Sequence, residues 1–278
     1  MNIERISAFA KDGIGGNPAG VVIGDELPTP ADMQRIAAEV GYAETAFAAP
    51  QGNGWRVRYF APVREVPFCG HATIALGAAL GAHYGAGKFD LSLNEAEISV
   101  EAFNSDDGWS AMLRSPPSVL RDTPETLAQG AKELFGLSDA DIDPNLPIQR
   151  FNAGADILMI PFADRVRLSQ LNYDMDAGAA LSASHDNLVG LYLVWRESER
   201  NFHVRMPFPS GGVFEDPATG AAAAALSGWL RDTGQLTGEI TITQGEDMGS
   251  PSLLRARSTE TPGAPVYVSG ATRLIAKD

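Results

Sequence analysis

The chain has a single cysteine, Cys69, among 278 residues, and this absence excludes several chemistries. No intramolecular disulfide can form, and metal sites built from two or four cysteines are ruled out. A catalytic pair of thiols is ruled out as well. Positive charge is also scarce. Twenty-one Lys and Arg face thirty-five Asp and Glu, a formal net charge of −14. A surface of that sign does not suit nucleic acid or an anionic membrane, both of which need basic patches. It is the composition expected of a soluble cytoplasmic protein. The N-terminus carries Glu4, Arg5, Lys11 and Asp12 and lacks the apolar core of a signal peptide. One uncharged stretch, Val66 to Gly87, is long enough to span a bilayer, but Pro67, His71, His83 and several small residues make it read as a buried helix after a turn.

Cofactor signatures are missing too. There is no P-loop, no dinucleotide glycine fingerprint after the first strand, no His-Glu-x-x-His and no Gly-x-Ser-x-Gly. Gly13–Gly16 is glycine-rich but lacks phosphate-binding spacing and a lysine. No cofactor and no metal are implied.

What is present is an ordinary globular chain, 44% hydrophobic and 20% charged. Alternating runs predict strands at Ile3–Phe9, Ala19–Ile23, Glu44–Ala48, Trp55–Phe60, Phe89–Leu93, Ile98–Phe103 and Trp109–Arg114. Asn94–Glu97 reads as a hairpin turn. Thr29 caps an amphipathic helix that starts at Pro30, buries Met33, Ile36, Ala37 and Val40, and closes at Gly41. A second helix runs from about Gly70 to Tyr84. The pattern breaks at Ser115-Pro116-Pro117, which places a boundary between domains 1–117 and 118–278. Beyond it, helices are expected over Thr123–Phe135 with Thr123 as cap, around Asp174–Ser184, and from Pro217 to Arg231. Strands are expected at Ile157–Pro161, Val189–Trp195, Phe202–Met206, Ile240–Gln244, Leu253–Arg257 and Pro265–Val268. The return of this last strand to the first domain is left open.

The halves share a unit. Arg56–Pro62 leads through a short loop to Phe68-Cys69-Gly70-His71-Ala72-Thr73 and an Ala-rich helix. His203–Pro209 leads through a similar loop to Glu215-Asp216-Pro217-Ala218-Thr219-Gly220 and a second Ala-rich helix. Seven positions separate Pro62 from Cys69, and seven separate Pro209 from Asp216. The reading is a pseudo-repeat of two similar domains, set against chance similarity in an Ala/Gly-rich chain. Each helix start offers unpaired amides and partial positive charge, and two such ends across a cleft would hold a small carboxylate. Gly70, Ala72, Ala218, Gly220 and Ala221 would let it approach the backbone, although small residues there also suit close packing.

Four side chains near these turns carry chemistry. His71, at a helix start, is a candidate proton donor or relay, or else a polar cap. Asp216, before Pro217, suits a helix N-cap, and it can also reach an imidazole. Glu44 enters an apolar strand. Buried there it would be a base with a raised pKa; on an edge it would face solvent. Cys69 sits where thiol pKa values fall, yet a small buried thiol is the simpler reading.

These residues carry a resemblance. Gly16-Asn17-Pro18-Ala19-Gly20-Val21, Glu44-Thr45-Ala46-Phe47, the segment Arg58 to Thr73 and Asp216-Pro217-Ala218-Thr219-Gly220 occur in the order found in the phenazine-biosynthesis PhzF-like family. Gln244-Gly245 and Pro251-Ser252 are similar to its late motif. The resemblance implies a diaminopimelate-epimerase-like α/β fold: two similar domains, each a curled mixed sheet around a central helix, with the site between them. It implies a homodimer acting on a small carboxylate-bearing substrate. Epimerase relatives use two cysteines; here Cys69 matches the first and the second turn has no thiol. In the PhzF-like isomerase, Glu44 would match the base, assisted by His71 and Asp216. The reaction moves a proton along the diene of trans-2,3-dihydro-3-hydroxyanthranilate, without metal or cofactor. Ala43, Gly70, Ala72, Gly220 and Ala221 would line the substrate. Ala43 and Ala221 replace serines common in the family, and Ser250 stands where many relatives carry Arg. The expected activity is therefore a cofactor-independent isomerase. The alternatives are an epimerase or racemase with one carboxylate base, or a non-catalytic binder of a metabolite or protein.

Overall fold

The computed structural model describes residues 2–106, 108–185 and 188–276. The expected domain ends at Met1 and Asp278 lie outside them. The chain divides into two compact units. One runs up to Arg114 and regains the segment from Ser269 onward; the other is Ser115–Val268.

The first unit contains β1 (Glu4–Ala10), β2 (Asn17–Ile23), α1 (Pro30–Val40), β3 (Glu44–Gln51), β4 (Gly54–Phe60), β5 (Glu65–Val66), α2 (Gly70–Tyr84), β6 (Gly87–Ser92), β7 (Glu97–Ser105) and β8 (Gly108–Pro117) up to Arg114. Helix α1 forms as its ends dictate. The Thr29 hydroxyl accepts from the Asp32 amide, Pro30 takes the first turn, and Gly41 closes the helix at φ 73°. Its face buries Met33, Ile36 and Ala37 against Val22, Phe47 and Phe60.

Helix α2 is apolar all round, and every residue from His71 to Gly81 is buried. The uncharged stretch is thus a core helix. No helix among the described residues is long and apolar enough to cross a membrane. Strands pair in the order β1-β2-β3-β4-β6-β7-β8 around α2. The end of β18 (Pro265–Leu274) then pairs antiparallel with β1, from Ile6↔Leu274 to Ala10↔Ala271. The sequence reading ends this strand at Val268; the pairing with β1 carries it six residues further and draws the segment into the first unit. Glycines allow the sheet to approach the helix. A Cβ on Gly77 would stand 2.5 Å from Val100, and one on Gly81 2.6 Å from the Trp109 ring.

The second unit contains β9 (Val119–Arg121), α3 (Glu125–Leu134), β10 (Gln149–Asn152), β11 (Asp156–Phe162), α4 (Arg165–Ser169), α5 (Met175–Ala183), β12 (Leu188–Arg196), β13 (Asn201–Arg205), β14 (Pro207–Phe208), β15 (Val213–Glu215), α6 (Gly220–Asp232), β16 (Gly238–Gln244) and β17 (Ser252–Ser258). Its sheet runs β17-β16-β13-β12-β11-β10-β9 and packs on α6, while β14 and β15 form a separate ribbon. Leu158 and Ile160 of β11 and Leu191 and Leu193 of β12 point away from α6 into a cluster with α3, α4 and α5. The mixed α/β class and the sheet around a central helix match the expected fold.

Two helix starts differ from expectation. Pro124, not Thr123, is the N-cap of α3. The Thr123 hydroxyl instead accepts from the Arg150 amide at 2.7 Å, so it serves β10. Helix α6 begins at Gly220, not Pro217, with Thr219 as N-cap.

Candidate active site

In the first unit, Glu44, Cys69 and His71 converge. Glu44 opens β3 directly after the Gly41 turn, and β3 pairs parallel with β2 through Ala19↔Glu44. Cys69 is the N-cap of α2 in extended conformation, and its side chain makes no capping bond. His71, one residue inside the helix, is buried, with 8% of its surface exposed. Its Nε2 lies 3.5 Å from Glu44 Oε2, and the Glu44 side chain is only 20% exposed. Its Nδ1 lies 3.3 Å from Cys69 Sγ. In the tautomer where Nδ1 accepts from the thiol, the ring proton sits on Nε2 and faces Glu44. One imidazole therefore connects a thiol to a carboxylate. Glu44 is neither an edge residue facing solvent nor isolated in the core.

The backbone here is fixed from beneath. The Thr73 hydroxyl donates to the Cys69 carbonyl at 2.7 Å, and its oxygen lies 2.7 Å from the Tyr59 hydroxyl. Thr73 has one hydroxyl proton, so Tyr59 is the donor in the second bond. Burial pushes the Tyr59 phenol well above its ordinary range and keeps it a proton donor. The amides of Gly70, His71 and Ala72 precede the first intrahelical bond, from the Thr73 amide to Cys69. A Cβ on Gly70 would meet nothing nearer than Leu113 Cδ2 at 4.0 Å, so packing does not require glycine there. Ala72 is buried and Ala43 is exposed.

In the second unit, Asp216, Gly220 and Ala221 lie at the start of α6. Asp216 does not cap it. It lies three residues before the cap Thr219, whose hydroxyl donates to Asp216 Oδ2. The matched spacing in sequence pairs Cys69 with Asp216, whereas by helix position Cys69 corresponds to Thr219. The turn between them explains the shift. Fully buried Gln244 donates through Nε2 to the Asp216 carbonyl at 2.8 Å and to Thr219 Oγ1 at 3.1 Å, and accepts from the Thr219 amide at 3.2 Å. A side chain from β16 thus holds Pro217 and Ala218 out of the helix. On the other side, the Asp216 amide bonds to the Met206 carbonyl. Adjacent Glu215 is clamped by Arg205 through Nε at 3.0 Å and Nη2 at 2.5 Å, both side chains buried. Burial, with the Asp216 charge added, pushes the Tyr192 phenol above its ordinary range. Gln244 appears in the sequence only as part of a late motif, and Arg205, Thr219, Tyr59 and Thr73 carry no signal of this role.

The first unit is thus a mixed sheet around a buried helix, with a carboxylate and an imidazole meeting at the helix start. The family model for phenazine biosynthesis-like proteins matches residues 6–277. The chain belongs to that family. It is 34% identical over 264 residues to trans-2,3-dihydro-3-hydroxyanthranilate isomerase of Pseudomonas fluorescens, covering 92% of this chain and 90% of that protein. It is 30% identical over 285 residues to an uncharacterized isomerase of Escherichia coli, covering 98% and 96%. A Bacillus anthracis phenazine biosynthesis protein of the PhzF family superposes with a TM-score of 0.85 at 21% identity, over 99% of this chain and 96% of that one. A probable proline racemase from Agrobacterium radiobacter superposes at 0.62 with 12% identity, over 98% and 90%. These two structures establish the fold. The curated relatives establish an isomerase family.

Proposed function

We propose that this chain is a cofactor-independent isomerase that moves a proton on a small carboxylate-bearing substrate, with Glu44 as general acid and base. The observation that carries this reading is the Glu44 carboxylate held 3.5 Å from His71 Nε2 beside the amides that open α2. In the proposed reaction Glu44 takes a proton from an acidic C–H bond. The charge that develops is stabilised by the amides at the helix start and by the His71 N–H, which are oriented before the reaction begins. Glu44 then returns the proton at another carbon.

Asp216 enters this proposal through the motif it shares with the family. Its immobilisation by Gln244, Thr219 and the Met206 carbonyl supports a positional role that Asp216→Asn tests separately. The Pseudomonas fluorescens relative is named for a cyclic dienyl amino acid. Ala43 and Ala221 offer methyl groups where the family commonly has hydroxyls, which supports a less polar substrate for this chain.

The test is solvent-deuterium incorporation. Small carboxylic acids, amino acids and dihydro-hydroxyanthranilate are incubated with the protein in D₂O and each C–H is followed by NMR. Deuterium at a second carbon with bond migration is the expected result. Exchange at one stereocentre with loss of chirality would replace isomerisation by epimerisation. No exchange across the panel would count against the proposal.

A further inference from the structure

Thr219 is the N-cap of α6, yet its side chain makes no capping bond. Thr29, at the same place in α1, accepts from the Asp32 amide as N-cap hydroxyls ordinarily do. The Thr219 hydroxyl is directed elsewhere, and the sense of each bond follows from which atoms can donate. The Thr219 amide only donates and the Asp216 carbonyl only accepts. The Gln244 side chain therefore presents Oε1 to the first, at 3.2 Å, and Nε2 to the second, at 2.8 Å. The other Nε2 proton goes to Thr219 Oγ1 at 3.1 Å. Thr219 has one hydroxyl proton, and it is donated to Asp216 Oδ2. A proton on Oδ2 would face that proton, so the series of donors ends on the carboxylate as an acceptor. Gln244 is fully buried, which keeps water out of these bonds. The sheet fixes it on both sides, through Val204 of β13 and Ser252 of β17.

We propose that Gln244 and Thr219 are positioning residues: a hydrogen-bond relay from β16 presets the Asp216 carboxylate as an acceptor. The N-cap bond of α6 is forgone to make it. In the reaction proposed above, on which the catalytic part of this role rests, Asp216 accepts a hydrogen bond from the substrate while Glu44 moves the proton. Oδ2 supplies no proton to the reaction.

One part of the test needs no substrate. The side-chain carboxyl carbon of Asp216, ¹³C-labelled and assigned by its disappearance in Asp216→Asn, is followed by NMR. Its signal should move in Thr219→Val, which removes the donated proton, and in Gln244→Leu, which lets the Thr219 hydroxyl turn away. It should stay near the parent position in Thr219→Ser. Circular dichroism establishes that each variant is folded. A signal unmoved in Thr219→Val or in Gln244→Leu overturns the relay; if Gln244→Leu does not fold, Thr219→Val set against Thr219→Ser decides alone. The other part uses a compound that exchanges deuterium. Thr219→Val should slow exchange at least ~10-fold, as displacement of a positioned group does, and Thr219→Ser should restore it. In the Asp216→Asn background Thr219→Val should cost nothing further, because it acts only through the carboxylate. A loss that persists in full in that background marks a structural role and overturns the proposal. Carbon shifts as expected with no exchange across the panel remove the function proposed above and leave the relay standing. Exchange in the parent with unmoved carbon signals removes the relay alone.

Discussion

Replacing Thr73 by valine should reveal how the start of α2 is held. The hydroxyl makes two buried bonds: it donates to the Cys69 carbonyl and accepts from Tyr59, each at 2.7 Å. Losing the first costs about 0.5–1.5 kcal/mol net. Losing the second leaves the hydroxyl of Tyr59, a residue only 1% exposed, without its acceptor, and an orphaned buried polar group costs about 1–3 kcal/mol. Thr73→Val should therefore destabilise the chain by about 1.5–4.5 kcal/mol. Tyr59→Phe removes only its own donation and should cost about 0.5–1.5 kcal/mol. The double variant has no orphan, so its cost should fall below the sum of the singles by about 1–3 kcal/mol. Urea unfolding, with the slope checked for constancy, measures all three. Thr73→Val within about 0.5 kcal/mol of the parent, or a cycle additive within about 0.5 kcal/mol, would refute the reasoning.

Further outcomes concern packing and pH. Gly81→Ala should lower the melting temperature by several degrees, because the new Cβ meets the Trp109 ring at 2.6 Å and Ala102 at 2.7 Å. Overpacking of about 1–3 kcal/mol exceeds the helix-propensity gain of about 1 kcal/mol, and calorimetry would show a stabilised variant if the sheet were looser. Stability should also decline in acid. Burial alone would raise Asp232, but hydrogen bonds from Arg231, the Gly263 amide and Ser118 hold it below its ordinary value of 3.8. The Arg58 guanidinium, aided by Asn94, likewise outweighs burial and holds Glu65 below 4.5. A folded value below the unfolded one gives stability that is complete above about pH 4–5 and is lost as pH falls through the depressed values. Asp232→Asn should flatten that decline in urea midpoints measured between about pH 6 and pH 3; an unchanged slope would remove Asp232 as a contributor.

The sequence reads well where structure is set locally. Thr29, Pro30 and Gly41 specify α1 completely, and the uncharged run from Val66 declares a buried helix. Glu44 and His71 are legible as candidates from their contexts. Their meeting is less so, because it depends on β3 running parallel to β2 and α2 packing inside the same sheet. Misreadings arise where a distant side chain decides. Pro217 looks like a first helical residue until Gln244, from a later strand, fixes the turn. Thr123 looks like a cap until the Arg150 amide takes its oxygen. The end of β18 alternates inward Gly270 and Thr272 with outward residues, an inner face too small and polar to read as strand until β1 accepts its edge.

The central claim is that Glu44 carries the transferred proton. With a compound that exchanges deuterium in the parent protein, the exchange rate of Glu44→Gln tests it most directly. Glutamine keeps the shape of the side chain but cannot accept the proton, so the rate should drop at least ~10²-fold while circular dichroism is unchanged. Exchange at the parent rate in folded Glu44→Gln would contradict the account.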